Sequence, residues 1–106
     1  MVNLTEIKNV AKRIGDTVNA DAVILFGSYA RGNADENSDV DFLVIAESDL
    51  PRFKRSRQLH KLFKPYPFGM DILVYTPAEI EKNRKCDLSF VSTILQEGKT
   101  VYGQRN

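Results

Sequence analysis

Three aspartates and a Gly-Ser pair carry the chemistry that can be read from this chain. Gly27 and Ser28 open the stretch "GSYARGNADENSDVDFLV", and after ten intervening residues Asp39 and Asp41 enter an apolar run. Asp71 enters a second apolar run, "GMDILVY". Side chains alternate along a strand, so Asp39 and Asp41 share one face, about 7 Å apart. Carboxylates gathered without a positive partner raise one another's pKa and resist ionisation. Hard divalent cations resolve that conflict. Mg²⁺ takes oxygen ligands, keeps several waters and shares a substrate phosphate. Two such ions can hold the attacking and leaving oxygens of an in-line phosphoryl displacement. Gly27 permits close backbone approach to a phosphate, and Ser28 adds a hydroxyl at the head of a helical turn. Arg31 is placed to neutralise phosphate charge, or else pairs with Asp35 or Glu36. The pattern points to a nucleoside triphosphate site suited to nucleotidyl transfer.

These residues need a scaffold that brings them together. Leu4, Ile7, Ala11, Ile14 and Val18 mark one face of a first helix. Asn3 and Glu6 form its capping box, and it ends near Asn19. Ala22 to Phe26 is a buried strand, Ser28 to Arg31 a helical turn, and Val40 to Ala46 a second strand. A helix capped by Asp49, with Pro51 in its first turn, is expected to run to about Lys64. Phe53, Leu59, Leu62 and Phe63 would be its inner face. Met70 to Tyr75 is a third strand. Thr76, Pro77 and Glu79 open a further helix. Ser89 to Glu97 is the last helix, ended by Gly98, and "KTVY" adds a short edge strand.

Strands alternating with helices imply an α/β fold, one small mixed sheet with helices packed on it. If strands two and three are parallel neighbours, joined by a right-handed helical crossover, Asp71 falls beside the aspartate pair. If strand one runs antiparallel to strand two, Gly27 and Ser28 reach the same edge.

The Gly-Ser pair, the Asp-x-Asp and the later "MDILV" together resemble the DNA polymerase β-type nucleotidyltransferase superfamily. The chain is most similar to its minimal nucleotidyltransferase (MNT) members, from the first helix to "EGKTVYG". The resemblance implies a polymerase β-like fold, with Gly27 and Ser28 on the triphosphate. It implies Asp39 and Asp41 on both of two Mg²⁺ ions. Asp71 would complete the catalytic metal site and help activate the incoming hydroxyl. It further implies ATP as donor and an antitoxin role beside a HEPN-family ribonuclease toxin, silenced by transfer of AMP to a tyrosine hydroxyl. A core this short has no evident acceptor domain, so it must borrow that surface by forming a homodimer or from another protein. The alternatives are a small-molecule, aminoglycoside-like nucleotidyltransferase, a binding-only antitoxin without catalysis, and a regulatory nucleotide-binding module.

Other features have plainer readings. Tyr29 either stacks on a base or packs locally. His60 has no Cys or second His at ligand spacing, and a surface or half-buried histidine is expected. Tyr66 and Phe68 are expected to plug the bottom of the domain. The 106 residues suit one domain, 1–106, and the net charge of +1 gives no case for a membrane-surface or nucleic-acid-binding protein. The charge is nonetheless segregated. Every charged residue from Asp35 to Asp49 is acidic, and every one from Arg52 to Lys64 is basic. Cys86 is the lone cysteine, no signal peptide is evident, and the apolar runs are too short to span a bilayer. The expectation is a cytoplasmic protein with no membrane contact.

Overall fold

The computed structural model describes residues 1–103. The elements run α1 (Leu4–Val18), β1 (Ala22–Phe26), α2 (Ser28–Arg31), β2 (Val40–Ile45), α3 (Arg52–His60), β3 (Met70–Tyr75), α4 (Pro77–Arg84), α5 (Phe90–Glu97) and β4 (Lys99–Gly103). The sheet order is β3-β2-β1-β4. β1 is antiparallel to both β2 and β4, and β2 is parallel to β3. Both topological conditions for gathering the aspartates are therefore met. No helix among the described residues is long and apolar enough to cross a membrane.

Alternation along the strands feeds two apolar layers. Val23, Leu25, Val40, Phe42, Val44, Ile72 and Val74 bury one face under α1 and the end of α3, against Ile7, Val10, Ala11, Ile14, Leu59 and Phe63. Ala22, Ile24, Leu43, Ile45 and Tyr75 bury the other face under α4 and α5, against Ile80, Val91 and Ile94. A sheet covered on both faces explains why its central strands read as continuous apolar runs.

The helix ends follow local chemistry. Asn3 Oδ1 accepts from the Glu6 N–H at 2.8 Å, although the return bond runs from the Asn3 side chain to Glu6 rather than closing a full capping box. Thr76 and Glu79 do close one. Ser89 caps α5 through the Ser92 N–H. Gly15 leaves room for the Tyr102 ring against α1, and the Tyr102 hydroxyl donates to Asp16 at 2.9 Å.

Several expectations need correction. Leu4 belongs to the first turn of α1 but is 52 % exposed, and Val10 takes the inward place instead. α3 is not capped by Asp49: the chain is extended at Pro51 and the helix starts at Arg52 without a side-chain cap. It also ends at His60, where Leu62 and Phe63 N–H groups bond three residues back in a tighter turn ahead of the prolines. Phe53, expected inside, is 72 % exposed. The reason is long-range. Arg55, one turn before Leu59 on the inward face, is nearly buried and carries a Glu79 carboxylate, the Val74 carbonyl and the Leu50 carbonyl. With Arg55 turned inward, Phe53 faces solvent. Tyr66 and Phe68 do not plug the far end. They belong to the 61–69 loop, whose last residue abuts Asp39. Phe68 packs against the core, while Tyr66 is exposed and hydrogen-bonds His60 Nδ1 at 3.0 Å.

Candidate active site

Two parallel strands and one tight turn build the site. Asp41 stands directly opposite Asp71 in the β2–β3 register, and opposite Phe26 in the β1–β2 register. Gly27 follows Phe26, so the Gly-Ser turn comes up against Asp41. Gly27 has φ +74° and ψ −154°, a conformation closed to side-chain-bearing residues. A Cβ there would also collide with Asp41 Oδ2. The missing side chain therefore serves both the turn and the carboxylate. Gly69 plays a matching part at the entry to β3: a Cβ on it would collide with Asp39 Oδ1. Its carbonyl accepts the Val40 N–H at 2.9 Å, tying the entries of both strands together.

The electrostatics record the crowding. Burial pushes the Asp41 carboxyl up to about 6, with further upward pressure from the charge of Asp71, a hydrogen bond to it, and the charge of Asp39. Arg31 pulls the other way. Asp41 is half-buried, whereas Asp39 and Asp71 are exposed. The structure thus brings Asp39, Asp41, Asp71 and Gly27 to one edge, with Ser28 at the head of the adjoining turn. The Ala30 and Arg31 N–H groups bond back to the Gly27 carbonyl, while the N–H groups that begin a helical turn have no intrahelical acceptor. Arg31 pairs with neither Asp35 nor Glu36. It lies 3.9 Å from Glu97 at the end of α5 and still faces the carboxylates electrostatically. Asp35 instead shapes the loop, accepting from the Asn37 N–H and the Ser38 hydroxyl. The Tyr29 hydroxyl accepts the Val2 N–H and its ring packs on the core, the local role of its two readings.

Among the described residues no three His, Cys, Asp or Glu side chains already stand as a closed metal cluster. The donors present nonetheless fit Mg²⁺. They are all oxygens and like-charged, Asp41 hydrogen-bonds Asp71 and feels the Asp39 charge, and Mg²⁺ needs only one or two carboxylates when waters and phosphate complete its shell. The open cavity lined by Arg84, Asp87, Ser92, Leu95 and Gln96 lies between α4 and α5 and shares none of these residues.

Two contributors escaped the sequence reading. Gly69 could have been found as a glycine beside "MDILV". The Arg31–Glu97 approach has no local signal, because it joins segments far apart in the chain.

Comparison with known proteins gives the family and the fold. The family described as "Nucleotidyltransferase domain" matches residues 4–101. A relative from Methanocaldococcus jannaschii, named "Putative protein adenylyltransferase", is 40 % identical over 81 residues, covering 76 % of this chain and 78 % of the relative. A second of the same name and organism is 38 % identical over 81 residues, 76 % of each chain. Among solved structures, a toxin-antitoxin crystallised with AMP-PNP superposes with a TM-score of 0.63 at 22 % identity, over 92 % of this chain and 74 % of that one. A mutant of the toxin-antitoxin MntA-HpeT superposes with a TM-score of 0.61 at 20 % identity, over 98 % and 76 %. These structural likenesses carry the fold, and the sequence match carries the family: the chain belongs to the nucleotidyltransferase domain family.

Proposed function

We propose that this chain is a Mg²⁺-dependent adenylyltransferase that moves AMP from ATP to a protein hydroxyl, a tyrosine of a HEPN-family toxin partner, and so acts as an antitoxin. The observation that carries the reading is the Asp41–Asp71 contact, with Asp39 alongside, facing the Gly27–Ser28 turn. The relatives' name supports a protein acceptor. The likeness to a toxin-antitoxin crystallised with an ATP analogue supports the nucleotide and the partner class.

In this reading Gly27 and Ser28 hold the triphosphate and Arg31 offsets its charge. Asp39 and Asp41 would hold two Mg²⁺ ions, with Asp71 completing the set. When bound, Mg²⁺ supplies charge neutralisation at the phosphates and acidifies the hydroxyl. The acceptor oxygen attacks the α-phosphorus in line, the bond from that phosphorus to the β-bridging oxygen breaks, and pyrophosphate leaves. Asp71 orients the incoming hydroxyl, takes its proton as the new P–O bond forms and passes that proton to solvent. Positioning and charge neutralisation account for most of the rate, since little covalent chemistry falls to the protein.

The test is mass spectrometry of a small helical HEPN-type neighbour after incubation with this chain, ATP and Mg²⁺, beside an Asp39→Ala control. A gain of one or more AMP units, absent in the control, is expected. A tight complex with no mass change would replace this reading with a binding-only antitoxin.

A further inference from the structure

We propose that Lys54, Arg57, Lys61 and Lys64 form a cationic docking track for an acidic face of the acceptor protein. The inference rests on the protein-acceptor reading above and adds the surface that reading needs. Of the six cations between Arg52 and Lys64, two are committed elsewhere. Arg55 is held by Glu79, and Arg52 reaches Glu79 and lies over the Tyr75 ring, 4.3 Å from its centroid. The other four are exposed, and none makes an ion pair among the described residues.

Their spacing is not random. Lys54, Arg57 and Lys61 recur at three- and four-residue steps, which puts them on one helix face over about 10 Å. Lys64 continues the series in the loop that ends at Gly69. Because α3 is the crossover between two parallel strands, it runs back toward their entry ends. The track therefore leads toward the edge where Gly69 abuts Asp39. Exposed apolar rings accompany it. Phe53 is 72 % exposed with the Lys54 ammonium 5.8 Å from its ring, and Tyr66 is 49 % exposed beside His60. Aromatic anchors within a charged rim are the make-up of a protein interface.

A nucleic acid fits less well. A basic stripe on a helix is shared by nucleic-acid binders, but their domains typically have a pI above about 9, whereas this chain's is about 7.8. The loop and strand residues Asp35, Glu36, Asp39 and Asp41 would repel a continuous phosphate backbone at the edge the track approaches, and Glu47 and Asp49 would do so ahead of its other end. A discrete acidic patch on a folded partner can meet the track and avoid them.

The experiment uses a fluorescent glutamate–tyrosine copolymer and a short single-stranded RNA as probes, each titrated by anisotropy. The full chain is compared with a variant carrying Lys54→Gln, Arg57→Gln, Lys61→Gln and Lys64→Gln, its fold checked by thermal melting. The expected result is salt-sensitive binding of the copolymer that weakens at least about tenfold in the variant while ATP affinity is unchanged. Unaltered copolymer binding in the variant, or tighter binding of RNA than of copolymer, overturns the proposal. Because binding is read without catalysis, track-dependent binding with no AMP incorporated would sustain the docking surface and count against the transfer reading alone.

Discussion

The parallel strands β2 and β3 carry charge at both ends, and the two ends treat it in opposite ways. At the entry end burial drives the Asp41 carboxyl up to about 6, and Asp71 opposite, like against like, adds to the push. Just beyond the exit end, Glu79 is held by Arg55 at 2.6 Å and Arg52 at 3.3 Å and bonds the Thr76 N–H, which brings its carboxyl down to about 2. One end leaves the repulsion between its carboxylates unrelieved. The other cancels its charges internally and locks α3 and α4 onto the sheet. The contrast teaches that a partly buried carboxylate is driven up when its neighbours are carboxylates and held down when they are guanidinium groups.

The largest expected effect lies at the entry end and concerns activity. Asp39→Ala or Asp41→Ala should reduce nucleotidyl transfer to below about one-hundredth of the parent rate. Neither should lower thermal stability, since each removes a member of a repelling set. Transfer assays with labelled ATP and melting curves on the same samples decide it. Full activity in either variant would sink the metal-site assignment. At the other end the ordering is reversed. Arg55→Met keeps the bulk but strips the guanidinium from Glu79, Val74 and Leu50, and should cost about 3 kcal/mol in denaturant unfolding. The folded fraction should keep its transfer rate. A loss of rate without loss of stability would show that the two ends are coupled.

Gly27→Ala tests how far the entry end depends on geometry rather than charge. It demands a forbidden backbone at φ +74° and displaces Asp41. A stability cost of about 1–3 kcal/mol is expected, together with lost transfer. If stability fell while transfer survived, Gly27 would be a turn residue only.

Much of this architecture is legible in the sequence because it is written locally. "AVILF", "VDFLVI" and "MDILVY" announce buried strands, and Thr76-Pro77-x-Glu79 announces a helix start. The site was legible for a different reason: Gly27, Asp39, Asp41 and Asp71 sit at strand ends, so a correct topology gathers them without any side-chain detail. What failed was set by contacts between distant segments. Phe53 looked inward by composition, but the Arg55–Glu79 pair decides the rotation of α3, and nothing near residue 53 records residue 79. Asp49 resembled a cap only because the chain's extended path through Pro51 is not visible in its neighbours. The space that Gly69 leaves for Asp39 depends on strand register, which no periodicity reveals.

The smallest predicted effect sharpens the comparison through pH. Asp41 binds its proton more tightly folded, at about 6, than unfolded, where the ordinary value is 3.8. It therefore opposes folding at neutral pH, and the penalty fades as pH falls from about 6 toward 4. Glu79 does the reverse. Its stabilisation is complete above its ordinary 4.5 and is lost as pH falls from there toward about 2. Asp41→Asn removes the first dependence and lets the new amide donate to Asp71. After discounting for solvent screening at this partly exposed edge, stability at pH 7.5 should rise by about 1 kcal/mol. The gain should shrink toward zero near pH 4. Glu79→Gln should instead lower stability at pH 7.5 and narrow its gap to the parent near pH 2. Denaturant titrations of the three proteins across that range would give two difference curves bending in opposite directions. If the Asp41→Asn curve stayed flat, neither burial nor the neighbouring carboxylates would be raising the Asp41 proton affinity in the folded chain, and the contrast between the two strand ends would fail at its site end while standing at its staple.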